Sequence, residues 1–239
     1  MTEPVLPPTR WVGGAHVFVA DVDAPDPSAA DRHHLERVLR LRVGDLVTVS
    51  DGKGRWRWAR VGVPFEPLGP VVTEPLPAPA LTVGFALLKG DRTELVVQKL
   101  TELGVDVIAP MVTDRTIVRW DATRAGRQHE RLERVAHEAA MQSRRVWLPR
   151  VASVRAFGDV IGDSTSDSVA LAAIDGSAPT LKHSTVLVGP EGGWSDTEHA
   201  GAPHRVRIGD FVLRAETAAI TAGAILAALR SGLAFPYAP

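Results

Sequence analysis

The chain has 239 residues, a formal net charge of −1, 45% hydrophobic and 23% charged positions, and no cysteine. That length suits one large domain or two modest ones, and the hydrophobic share excludes disordered and fibrous classes. Lack of cysteine removes disulfides, thiolate zinc sites, iron–sulfur clusters and cysteine nucleophiles together. No apolar run reaches the roughly 18 residues of a membrane-spanning helix. The N-terminal stretch lacks the charged start and apolar core of a secretory signal, so the expected location is cytoplasmic.

The distribution of charge says more than its sum. From Arg32 to Arg60 there are eight Lys/Arg against Glu36, Asp45 and Asp51, and from Arg115 to Arg145 eight arginines against Asp121, Glu130, Glu133 and Glu138. Arginine outnumbers lysine 23 to 4. Its planar fork suits phosphates and base edges, although a GC-rich genome would give the same bias.

In chain order, residues 16–19, 46–50 and 55–63 read as strands, with Asp51-Gly52-Lys53-Gly54 as a hairpin turn. Residues 31–41 read as a helix with Leu35, Val38 and Leu39 on one side. Pro64, Pro67, Pro70, Pro75, Pro77 and Pro79 then predict an extended linker over 64–79, with one edge strand at Val71-Val72-Thr73. Residues 1–74 are thus expected to form a small β-rich, barrel-like domain. Beyond the linker the pattern alternates. Strands are predicted at 81–88, 107–112, 168–174, 185–188 and 205–208, and helices at 91–103, 127–143 and 215–231. Continuous apolar strands alternating with helices predict, for residues 80–239, an α/β domain whose parallel sheet is covered on both faces.

Two constellations stand out. Val186-Leu187-Val188 runs into Gly189-Pro190-Glu191-Gly192-Gly193, and Ser195-Asp196-Thr197-Glu198 has capping-box spacing. Glycines at a strand's C-terminal end let a ligand approach the backbone, where open α/β sheets place their sites. A tight strand–helix turn would use the same glycines. The second is Ile208-Gly209 followed by Leu213-Arg214-Ala215-Glu216-Thr217-Ala218. Glu216 at a helix N-terminus complements the dipole; Arg214 stands at the wrong end for a cation. Other chemistries fail on spacing. The glycine run is neither a dinucleotide fingerprint nor a Walker loop, Met141 occupies the second ligand position of a zinc HExxH pattern, and Ser195 is not in a hydrolase elbow. No metal site is expected. Lys53, Arg55 and Arg57 alternate with Trp56 and Trp58, which suits equally RNA contact or a barrel strand with indoles inside.

Together these segments resemble the SPOUT-class RNA methyltransferases, and within them the RsmE family, which methylates N3 of a uridine in small-subunit ribosomal RNA. Besides the two constellations, the resemblance rests on Lys89-Gly90-Asp91-Arg92-Thr93-Glu94 with Gln98-Lys99 and Glu102-Leu103-Gly104-Val105, on Val38-Leu39-Arg40-Leu41 with Gly44-Asp45 and Asp51-Gly52, and on Gln142-Ser143 with Arg145. His16, Met141 and Arg144 depart from the family pattern. The resemblance implies an N-terminal PUA-like β-barrel domain and a C-terminal SPOUT α/β domain with a deep trefoil knot. It implies S-adenosylmethionine as cofactor, held by Leu187, Val188, Gly189, Glu191, Gly192, Gly193, Ile208, Gly209, Leu213, Thr217 and Ala218, with Leu187, Ile208 and Leu213 walling an apolar adenine slot. Arg214 and Glu216 are the catalytic candidates, Arg214 as a fixed cation and Glu216 as proton acceptor or holder of Arg214. RNA contacts are expected from His34, Arg37, Arg40, Lys53 and Arg55, continued by Arg92, Arg115 and Arg119. The expected partner is 16S ribosomal RNA of the small subunit. The closing helix, rich in Ala and apolar all round, predicts a homodimer. A different RNA target atom, such as a ribose 2′-hydroxyl, or a non-catalytic RNA-binding assembly factor are the alternatives.

Overall fold

The computed structural model describes residues 9–11, 14–162 and 168–235. Residues 1–8, on which the signal-sequence reading largely rests, lie outside the described residues. The chain divides into two units, one formed by Met1–Leu76 with Ala140–Leu148, the other by Pro77–Ala139 with Pro149–Pro239.

In the first unit, β1 (Ala15–Phe18) is followed by α1 (Ala29–His33), β2 (Leu46–Ser50), β3 (Arg55–Arg60) and β4 (Glu66–Thr73). They form one sheet in the order β1-β2-β3-β4, with β1 parallel to β2 and the rest antiparallel. Asp51 makes the β2–β3 turn: its Oδ1 accepts from the N–H groups of Lys53 (2.7 Å) and Arg55 (3.1 Å). Alternation on β3 buries Trp56 and Trp58 with Val146, so the indoles face inward. Val17, Leu35, Val47, Val49, Ala59 and Phe65 build the larger cluster, together with Met141.

Two expectations change here. The stretch read as linker contains the eight-residue strand β4, paired along β3. It is an edge strand, and an edge tolerates Pro67 and Pro70 because their missing N–H groups leave no ladder partner unsatisfied. The helix expected over 31–41 is a short α1, capped by Ser28 accepting from the Asp31 N–H, then a π-helical turn over His34–Val38. The wider π turn rotates the later side chains. Leu35 is buried, but Val38 is 61% and Leu39 47% exposed.

The three departures from the family pattern cluster in this unit. His16 is buried, with Nδ1 2.8 Å from Thr48 Oγ1 and Nε2 3.0 Å from the Arg145 carbonyl. Arg144, at φ +55°, donates to the carbonyls of Arg10 and Gly14. Met141 fills the core. Each has a structural job.

The second unit runs β5 (Thr82–Ala86), α2 (Arg92–Glu102), β6 (Val107–Val112), α3 (Ala122–Gln142), β7 (Arg150–Val151), β8 (Arg155–Ala156), α4 (Phe157–Gly162), β9 (Val169–Ser177), β10 (Thr185–Val188), α5 (Asp196–Gly201), β11 (His204–Val206) and α6 (Ala215–Arg230). The last residues of α3, 140–142, are counted with the first unit. Strand order is β11-β9-β10-β5-β6-β7, with β8 also on β6, and every pairing is parallel. Phe85, Ile108, Val186 and Val188 meet Val96, Leu100, Ala219, Ala222 and Leu226 of α2 and α6 in the main core. Met111, Leu171 and Leu187 share a second cluster with Phe157, Val160 and Trp194. Among the described residues no helix is long and apolar enough to cross a membrane.

Candidate active site

The central strand β10 ends at Val188, and there the glycine-rich turn begins. A cavity of about 620 Å³ opens at the C-terminal ends of β9 and β10, within the roughly 300–1,000 Å³ typical of small-molecule sites. Val188, Gly189, Glu191, Gly193, Ile208, Gly209, Leu213 and Ala218 line it. Glycine at 189 permits a close approach: a Cβ there would lie 3.0 Å from Trp194 Cε2. The indole packs over the turn and its Nε1 donates to the Ala172 carbonyl at 3.2 Å. Gly193 sits at φ +70°, a conformation that costs glycine nothing.

Three expected contacts are not on the wall. Leu187 is fully buried in the core behind it, because alternation along β10 turns it to the opposite sheet face from Val188. Thr217 is exposed on α6. Gly192 contributes its carbonyl to Arg115 Nη1 at 2.9 Å. Arg115, expected to touch RNA, lines the cavity.

A buried carboxylate fixes the turn. Glu198 is 4% exposed. Its Oε2 accepts from the Ser195 N–H, completing the α5 capping box, and its Oε1 accepts from the Asp114 N–H, both at 2.8 Å. Ser195 Oγ donates back to Asp114 Oδ2 at 2.5 Å. The segment after β6 is thereby tied to the glycine-rich turn.

Arg214 is the N-cap residue of α6, exposed at the cavity wall. Among the described residues its guanidinium makes no ion pair or hydrogen bond. A cation at a helix N-terminus is disfavoured by the dipole, so helix stability does not explain it. Glu216, expected either to accept a proton or to hold Arg214, makes no direct pair with it. Its Oε1 lies 3.5 Å from Arg92 Nη1 on α2, and its Oε2 is buried without a hydrogen-bond partner among the described residues. Two positions on a helix correspond to a rotation of about 200°, and Glu216 accordingly meets α2 through Arg92 and is not on the cavity wall.

A model of an RNA methyltransferase domain matches residues 74–227, and one of an RNA methyltransferase PUA domain matches residues 28–63. A ribosomal RNA small subunit methyltransferase E from Synechocystis is 35% identical over 223 residues, covering 84% of this chain and 72% of that one. The chain belongs to the ribosomal RNA small subunit methyltransferase E family. The member from Mycobacterium bovis is 30% identical, with 79% of this chain and 80% of the relative covered. The fold agrees: a Neisseria gonorrhoeae member solved bound to S-adenosyl methionine superposes with a TM-score of 0.75 at 29% identity, covering 90% and 97% of the two chains. A putative methyltransferase from Legionella pneumophila, solved with bound cofactor SAM, gives 0.76 at 25% identity over 91% and 98%. The architecture is therefore a PUA-like domain and a SPOUT α/β domain.

As a methyltransferase of this family, the chain carries its expected RNA-facing residues in several settings. In the first unit His34 starts the π turn half-buried, Arg37 is exposed, and Arg40 is exposed at φ +55°. Lys53 is exposed at the hairpin tip. Arg55 pairs with Asp23 at 2.9 Å, and Arg57 with the other Asp23 oxygen at 3.1 Å. That hydrogen bond pushes the Arg55 guanidinium above its ordinary pKa. In the second unit Arg92 is taken by Glu216, and Arg119 donates to the Thr113 carbonyl at 3.3 Å. The sequence reading missed the cavity residues of β9, Ala172, Ala173, Ile174 and Asp175, and also Arg205. Their signal was the strand order, which puts β9 beside β10.

Proposed function

We propose that this chain transfers a methyl group from S-adenosylmethionine to N3 of a uridine in 16S ribosomal RNA of the small subunit. The cavity's donor set suits that zwitterionic, partly aromatic cofactor. Val188, Ile208, Leu213 and Ala218 offer an apolar slot for adenine, and Gly189, Gly193 and Gly209 leave the backbone there without side-chain cover. Glu191 supplies a carboxylate for the ammonium or hydroxyls, and Arg115 a guanidinium for the carboxylate. When bound, the cofactor supplies an already electrophilic methyl, so the protein's contribution is orientation and electrostatics.

The observation that carries the reading is the guanidinium of Arg214 on the cavity wall, unpaired among the described residues. Loss of the uridine N3 proton spreads negative charge over the two flanking carbonyl oxygens. A fixed cation beside them stabilises that charge in a dry site. Glu216, through Arg92, holds the first turn of α6 in place and is a positioning residue for Arg214. The exposed Arg37, Arg40 and Lys53 of the first unit and Arg119 of the second take the RNA backbone. An unpaired uridine is the natural target, since extruding a paired base costs a few kcal/mol.

Three further parts of this reading concern the whole protein. The trefoil knot is supported by the convergence of the segments around 188–193, 208–209 and 213–218 on one cavity. A C2 homodimer is supported by α6, where Leu103, Ala224, Ala227, Ala228 and Leu233 line an open, largely apolar hollow of about 640 Å³ bordered by Glu102 and Arg230, and Leu233 and Phe235 are each 84% exposed. The cytoplasm, where ribosomal RNA is found, is the location. The test is nucleoside mass spectrometry of ribosomal RNA from a deletion strain after incubation with the protein and S-adenosylmethionine. N3-methyluridine is the expected product, and a ribose-methylated nucleoside overturns the reading. Arg214→Ala is expected to lower kcat at saturating RNA by about 10²-fold or more with cofactor affinity within about twofold; unchanged turnover removes the electrostatic role.

A further inference from the structure

A second concavity lies in the α/β unit, sharing no lining residue with the cofactor cavity. It is a groove of about 530 Å³ bounded by Leu88 to Asp91 after β5, Ile117 to Trp120 after β6, and Arg124, Gln128 and Arg131 on α3. It too sits beyond the C-terminal ends of parallel strands, where such sheets place ligands. We infer that this groove is a nucleotide subsite, which takes one unit of single-stranded RNA, base and phosphate, beside the nucleotide being methylated. The inference rests on the RNA-methyltransferase reading above.

The charges in the groove do not cancel. Lys89, Arg119, Arg124 and Arg131 face Asp91 and Glu94, and Glu94 is already taken by Arg131 at 2.8 Å. Lys89 and Arg124 are exposed, and their side chains make no ion pair among the described residues. Cations gathered in a concave site repel one another and focus a positive potential, which an anionic ligand relieves. The wall between them is apolar. Trp120 is half-buried against the core and lines the groove, and Ile117 is 75% exposed beside it. Unpaired cations around an indole suit the backbone-tracking and base-stacking chemistry of single-stranded nucleic acid. An acidic peptide would use the cations and leave the indole without a flat partner.

The experiment uses the full chain and a single-stranded RNA oligonucleotide spanning the methylated region, with anisotropy read across a salt series. Lys89→Ala/Arg124→Ala changes only exposed side chains. It is expected to weaken RNA binding about tenfold and to make the log–log salt slope shallower by about 1.4, two single-strand phosphate contacts' worth. Trp120→Leu is expected to cost at least about fivefold in RNA affinity. Calorimetric binding of S-adenosylmethionine should be unchanged in both. Unaltered RNA affinity and salt slope in the double variant overturn the subsite. So does a loss confined to the protein-bearing ribosomal subunit, which would make the groove a protein contact. Wild-type protein that binds cofactor but no RNA strikes the underlying RNA reading, and the groove falls with it.

Discussion

Glu198 spends each carboxylate oxygen on a different backbone N–H, Ser195 on one side and Asp114 on the other. The pairing makes a helix cap also serve as a clamp. Glu198→Gln keeps the size and loses one acceptor, turning an amide N–H₂ toward a backbone N–H. A buried donor left unsatisfied costs about 1–3 kcal/mol, so thermal unfolding should shift down by several degrees. Because the clamp sets the glycine-rich turn, cofactor affinity measured by calorimetry should fall too. An unchanged affinity alongside lower stability would restrict Glu198 to capping. In the first unit, Asp23→Asn would release Arg55 and Arg57 from their shared carboxylate. RNA affinity is then expected to rise at low salt and to show a steeper salt slope, since one acidic charge has left a basic face. Identical slopes would take Arg55 out of the RNA path.

At the scale of elements, α2 and α6 meet at Gly223, where a Cβ would fall 2.4 Å from Leu100 Cδ2 and 3.2 Å from Val105 Cγ2. Gly223→Ala gains about 1 kcal/mol of helix propensity but overpacks a site whose Leu100 is fully buried, at about 1–3 kcal/mol. The clash wins, and the variant should melt lower than wild type; a higher melting point would mean the helices can separate without cost. Elements with a single dominant signal were legible from the sequence. The apolar runs at 107–112 and 185–188 are strands with those bounds, and the Ser195 capping box opens α5. Where two signals compete within a segment, its own residues do not decide between them. Proline density hid β4 because edge position is a property of the sheet, not of the segment. Helical periodicity hid the π turn because Leu35, Val38 and Leu39 have α-helical spacing in the sequence, whereas the turn that forms rotates Val38 and Leu39 into solvent. In the site, Val188, Gly189, Gly193, Ile208 and Gly209 came from motifs that end or follow strands and Leu213 from the mouth of the last helix, whereas Arg115 and the β9 residues came from neighbours distant in sequence.

For the whole molecule, the apolar hollow on α6 predicts association. Light scattering at sub-micromolar concentration should give the mass of two chains, and Leu233→Asp with Phe235→Asp should shift it toward one. A fully active monomer would sink the dimer. The division of the chain has a different consequence, one of timing. The first unit is written in two instalments: Ala140 and Met141 complete one of its clusters and Val146 packs against Trp56 and Trp58, while the Gly54 N–H bonds the Val146 carbonyl and the Leu148 N–H bonds the Gly52 carbonyl. During synthesis the amino-terminal strands therefore emerge long before the residues that close their core. The usual order, in which the first domain folds first, is not open to this chain. Nascent chains halted before residue 140 should be cleaved readily within β2 and β3, and those extended well past residue 148 should resist. Nor can the unit be isolated by a cut at 76, since such a fragment carries its tryptophans without their cover.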